Sequence, residues 1–135
     1  MAQSAIYVVN NSIQDVAAGG IINLGTIIRR FGRNLNLSGN GIQVAGEGYY
    51  DINVSVTVSP STEGEVTITA YKDGVAIPGA MATETAAAAG DYISLSLVGL
   101  IREACYCCES LSSLTFVLSG LNASVTNIAV VVKKL

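Results

Sequence analysis

The chain has 135 residues, a net charge of −3, no histidine, and 13% charged against 50% hydrophobic residues. That length suits one domain, able to bury about 70% of its unfolded surface. The lack of histidine removes the common catalytic triads, the usual zinc ligand sets and most neutral-pH proton shuttles, and an acidic balance argues against nucleic acid as a ligand.

Mean hydropathy is +0.51, high for a soluble domain. A membrane span would explain it, but the longest uncharged run, Ser110 to Val132, is broken by Ser112, Ser113, Ser119, Gly120, Asn122, Ser124 and Asn127. Strand alternation fits that run better than a lipid-facing helix, so membrane insertion is not expected. Burial of apolar surface against further copies of the chain is the preferred explanation. Met1 to Ala5 shows neither a positive n-region nor a long apolar h-region, and no secretory signal is expected.

In chain order, Ala5–Val9 reads as a first strand ended by Asn10-Asn11-Ser12. Gly19-Gly20 is a break, Ile21–Leu24 a short strand, and Arg29–Arg33 an exposed basic loop. Leu35 and Leu37 alternate with polar residues, Gly39-Asn40-Gly41 turns the chain, and Ile42 and Val44 resume the pattern. The organising stretch follows: Tyr50, Ile52, Val54, Val56 and Val58 alternate with Asp51, Asn53, Ser55 and Thr57, giving one oily and one wet strand face.

Pro60–Gly64 closes that strand, and Val66, Ile68 and Ala70 alternate in the next. Asp73-Gly74 predicts a type I′ hairpin, and Pro78-Gly79 is expected to end the strand after it. Ala80–Ala89 reads as strand and loop. Ile93, Leu95 and Leu97 alternate with serines, after which Val98–Ile101 is apolar on both faces. Arg102–Ser113 is a cysteine-bearing loop; Leu114, Phe116 and Leu118 form a strand; Val125–Leu135 is the last, with Ile128–Val132 expected to be buried on both faces. Eight to ten short antiparallel strands with no amphipathic helix read as an all-β sandwich or jelly roll. The whole of 1–135 is expected to be one such domain, with 1–23 as an N-terminal strand and lead-in and 24–135 as the core.

Gly48, Tyr50, Ile52 and Val54, in a Gly-x-Tyr-x-apolar-x-apolar arrangement with Leu24, Leu35 and Ile42 upstream, resemble the complement-type globular and tumour-necrosis-factor-like jelly roll. Arg30 stands where that pattern has Asn or Asp. The Leu35–Val44 stretch looks like the bacterial and phage members, such as spore-surface collagen-like glycoproteins and phage head-fibre or capsid decoration proteins, although no Gly-X-Y stalk is present. The resemblance implies a homotrimer. The expected interface and core residues are Tyr50, Ile52 and Val54 of the organising strand, Val98 and Leu100, Phe116, and Ile128, Val130 and Val132. It also implies a non-enzymatic structural protein of a virion, with capsid proteins or a host-surface glycan or receptor as further partners. A lectin-like module on a bacterial or spore surface is the alternative.

Candidate chemistry is sparse, and no cofactor is expected. Cys105, Cys107 and Cys108 put three thiols within four residues; they are candidates for a soft metal or inter-subunit bridges, or simply reduced loop thiols. Arg29, Arg30 and Arg33 are a candidate docking patch for an acidic surface, or a solubilising loop. Glu63 and Glu65 have the residue types of a glycosidase pair, and Asp73 and Asp91 of calcium ligands, but their settings match solvated turn charges. Asn10, Asn36, Asn53 and Asn122 begin Asn-x-Ser sequons, which carry no weight without export.

Overall fold

The computed structural model describes residues 3–103 and 111–135. Among them lie eleven strands and no helix: β1 (Ala5–Asn10), β2 (Gln14–Val16), β3 (Thr26–Phe31), β4 (Leu35–Ser38), β5 (Gly41–Ala45), β6 (Gly48–Pro60), β7 (Gly64–Lys72), β8 (Val75–Ala86), β9 (Ile93–Glu103), β10 (Leu111–Ser119) and β11 (Ala123–Lys134). One sheet runs β3-β1-β11-β6-β9, with β2 also on β11; the second runs β4-β5-β10-β7-β8. All pairings are antiparallel. The fold is an all-β jelly-roll sandwich.

Period-two alternation builds the core directly. Along β6, Tyr50, Ile52, Val54, Val56 and Val58 are buried, and they face Ile68, Ala70, Leu114, Phe116 and Leu118 of the second sheet in one continuous cluster. β1 lies inside the first sheet between β3 and β11, and contributes Ile6 and Val8. Tyr50 is the largest buried side chain, and its hydroxyl donates to the carbonyls of Ala45 (3.0 Å) and Gly46 (2.8 Å). This accounts for the tyrosine of the Gly-x-Tyr signature: the phenol ties the β5–β6 turn, where Gly46 holds φ +96°, to the core.

Asp73-Gly74 forms the expected hairpin, with φ of +50° and +81° and Lys72 paired to Val75. Four expectations are corrected. The expected loop at Arg29–Arg33 shrinks to its end: Arg29–Phe31 belong to β3, which pairs with β1 and lacks alternation because all six of its residues are exposed at a sheet edge, while Gly32 and Arg33 lie beyond the strand. Pro78-Gly79 does not end its strand: β8 is an edge, where a missing N–H breaks no ladder. Ile77–Ala80 bulge opposite Ala70, and pairing resumes at Met81 with Thr69. Gln14–Val16, not read as a strand, pairs with β11. Ile21–Leu24 makes only an isolated bridge, Ile21 to Val117, although Ile22 and Leu24 are wholly buried.

The apolar stretches also differ from expectation. In β11, Ile128, Val130 and Val132 are buried, but Ala129 and Val131 remain partly exposed. In β9, Ile101 is buried while Val98 and Leu100 are 63% and 56% exposed. Gly99 stands where a Cβ would come within 3.2 Å of the Ala80 Cβ, so β8 and β9 close against each other along one flank of the sandwich.

Burial, followed by the nearby Glu103 charge, raises the Tyr50 pKa. The unfolded chain therefore loses this proton near pH 10 while the folded chain keeps it, so stability from this group is full below about pH 10 and falls above it. Tyr50→Phe strands the Gly46 carbonyl. Urea unfolding at neutral pH is expected to show a loss of about 1–2 kcal/mol with an unchanged m-value, and the Tyr50 share of the alkaline fall in stability should vanish.

Candidate interaction surface

The first sheet has its inner face covered by the second; among the described residues nothing covers its outer face. Register places its residues in rows. One row runs Arg29, Tyr7, Val131, Asn53, Val98, and the next Phe31, Ala5, Lys133, Asp51, Leu100. These positions alternate with the buried Ile6, Ile52, Leu97 and Val132, so their side chains share the outer face. Two apolar patches result. Phe31, which is 60% exposed, lies with Tyr7, Ala5 and Val131 at the β3 side; Val98 and Leu100 lie at the β9 edge. The wet side of β6 runs between them, and there Asn53 donates to Asp51 Oδ2 at 3.3 Å.

The β9 patch continues around the edge into a groove of about 270 Å³ lined by Val75, Ile77, Pro78, Leu100 and Arg102. Of the residues expected at an interface or core, Tyr50, Ile52, Val54, Phe116, Ile128, Val130 and Val132 are buried inside one chain. Val98 and Leu100 are exposed, so only these two are available to a second copy.

Arg29, Arg30 and Arg33 sit on and just after β3, all exposed. Arg30 Nε donates to the Leu35 carbonyl at 2.6 Å, which pins the β3–β4 connection; Arg29 lies on the outer face beside Tyr7. Ser4 Oγ donates to Asn34 Oδ1, and Asn34 Nδ2 to the Ala45 carbonyl at 2.7 Å, fixing the same corner. Cys105, Cys107 and Cys108 lie outside the described residues. Among the described residues no group of three or more Cys, Asp or Glu is placed to hold a metal, and no helix is long and apolar enough to cross a membrane.

The remaining carboxylates serve turns. Asp73 Oδ1 accepts from Ser113 N at 2.9 Å and Asp91 Oδ2 from Ala88 N at 3.1 Å, while Glu63 and Glu65 stand in solvent. A cleft of about 650 Å³ opens at one end of the sandwich, where Asp15, Ser59, Ser61, Asn122 and Ser124 stand among apolar residues such as Val16 and Pro60. There Ser124 Oγ donates to Asp15 Oδ1 at 2.6 Å.

Sequence reading missed one buried polar cluster. Ser112 and Glu103 are both buried; Ser112 Oγ donates to Glu103 Oε2, and Lys72 Nζ stands 4.0 Å from the same oxygen. The signal was strand parity: Glu103 continues Leu95, Leu97 and Ile101, and Ser112 precedes Leu114 and Phe116 on the inward face.

The architecture is a two-sheet jelly roll, similar in fold to tumour-necrosis-factor-like and complement-type domains. Solved structures with this fold include murine APRIL, at 15% identity over 98% of this chain and 99% of that one, with a TM-score of 0.74. The globular domain of zebrafish complement 1qA matches at 10% identity over 97% and 95%, with a TM-score of 0.69. The PRD1 vertex protein P5 matches at 20% identity over 98% and 96%, with a TM-score of 0.62. No protein-family model and no curated protein matches the chain.

Ser112→Ala removes a hydrogen bond to a buried carboxylate and should cost about 1.5–3 kcal/mol in urea unfolding; Ser113→Ala, on the half-buried alternate position, should cost little in the same measurement.

Proposed function

We propose that this protein is a homotrimeric structural module of a virion, a phage or prophage particle component of the capsid decoration or head-fibre type. The observation that carries the assembly reading is the pair of separate apolar patches on one uncovered sheet face. Solitary exposed apolar residues need no partner, but clustered ones mark association surfaces. Two different patches on one protomer suit a head-to-tail contact, in which Val98 and Leu100 of one copy lie on Tyr7, Val131 and Phe31 of the next; such contacts form rings when the rotation between copies closes. The jelly-roll likeness implies a ring of three. The virion setting is supported by the fold shared with the PRD1 vertex protein P5 along nearly the whole of both chains. The absence of histidine from the sequence favours a structural over a catalytic role.

A second reading, a surface module that binds a glycan or receptor, is favoured by the mixed cleft in which Asp15, Ser59, Ser61, Asn122 and Ser124 offer polar groups beside apolar ones. A glycan array tests it; binding abolished by Asp15→Ala in an otherwise folded protein would establish it.

Light scattering at micromolar concentration should return three times the chain mass. Leu100→Asp, at a position that is 56% exposed and outside the core, should yield a folded monomer, because a charge on a buried interface patch costs several kcal/mol. A wild-type monomer would sink the assembly reading. Mass spectrometry of purified particles should find the chain in virions; its absence there would leave the glycan or receptor reading.

A further inference from the structure

We propose that β3 is a strand-addition site, taking an extended acidic segment of a partner protein along the free edge of the first sheet. Among the described residues β3 pairs only with β1, so its far side carries backbone N–H and C=O groups with no ladder partner. The opposite flank of the sandwich is closed, because β8 and β9 pack together at Gly99 and Ala80. The β3 flank is not closed in this way.

Charge identifies the occupant. The first 46 residues carry three arginines and a single carboxylate, Asp15, a net of +2; the remaining 89 carry four basic and nine acidic residues, a net of −5. All three arginines of the basic part fall on or beside β3. Among the described residues the one ion pair is Lys72–Glu103, so none of their carboxylates is paired with these arginines.

Arginines on an edge strand can serve merely to repel other edges. This edge has more: Ile27 and Ile28 stand directly beside the charges and are 39% and 45% exposed. A guard needs charge alone, whereas a receptor edge offers backbone for affinity and alternating side-chain contacts for choice. The edge is also held in strand form beforehand. Arg30 is tied to the Leu35 carbonyl, and Gly32, with φ +82°, packs where a Cβ would strike Ser4. Little ordering entropy is therefore charged to the protein side on binding.

The test uses the whole chain and a fluorescein-labelled alternating Val-Glu decapeptide in anisotropy titrations, with light scattering on the same samples. Saturable binding should weaken with salt and fall about tenfold in the doubly substituted Arg29→Glu, Arg33→Glu protein. The same peptide with N-methyl groups on two adjacent central residues, which blocks an N–H on each of its edges, should lose affinity by at least about tenfold. Equal binding of the methylated peptide would reduce β3 to a charge patch and overturn the proposal, as would equal binding of an alternating Val-Lys peptide or no binding at all. The proposal stands apart from the assembly reading: a monomer that still binds the peptide counts only against the trimer, and a trimer that does not counts only against strand addition.

Discussion

Everything in this protein follows from a sheet having two faces and a sandwich covering only one of them. Strand parity decides which residues go inward, and along β6 and β11 that decision is uniform: Tyr50 to Val58 and Ile128 to Val132 send one side chain in two to the core. The fold needs nothing from the other side. Whatever stands there, the apolar Tyr7, Val131, Val98 and Leu100 and the polar ladder of β6, is available for something other than holding one chain together.

The two flanks divide the remaining work. On one side β8 and β9 seal the sheets together through two of the smallest residues, and the sealed edge still shows Val75 and Leu100 to solvent. On the other, β3 and β4 are joined by the short corner at 32–34, fixed by Ser4 and Asn34, and by the Arg30 hydrogen bond to Leu35. Electrostatics follow the same asymmetry, with three arginines on and beside β3 in an otherwise acidic chain. A protomer built this way has distinguishable sides, which is what a directional contact requires.

The parts of the fold legible in the sequence were those in which one local rule acted alone. Uninterrupted alternation marked β6, and Asp73-Gly74 marked a hairpin because few residue pairs tolerate positive φ at both positions. Reading failed where tertiary position overrode the local rule. Thr26–Phe31 shows no alternation because neither of its faces is buried, and a strand recruited by β1 cannot announce itself by hydrophobic period. Pro78-Gly79 looks like a stop, but at an edge it is only a bulge. Apolar runs were overcounted for the converse reason: Val98 and Leu100 lie on the outward parity, and composition alone does not tell an inward valine from an outward one. The Glu103–Ser112 contact was hidden because buried charge is rare enough that polarity was taken to mean loop.

The strand order carries a consequence for how the protein comes into being. β1, near the start of the chain, finds its neighbour in β11, near the other end, and β2 and β6 dock on that same late strand. During synthesis the ribosome releases Ile6 and Val8 long before the segment that will cover their edge exists, and the first sheet has no middle until β11 emerges. The domain must therefore wait for nearly its whole length before it can close. It is a slow folder by topology, with β-edges exposed meanwhile, and a nascent chain stalled short of β11 is the form most exposed to aggregation.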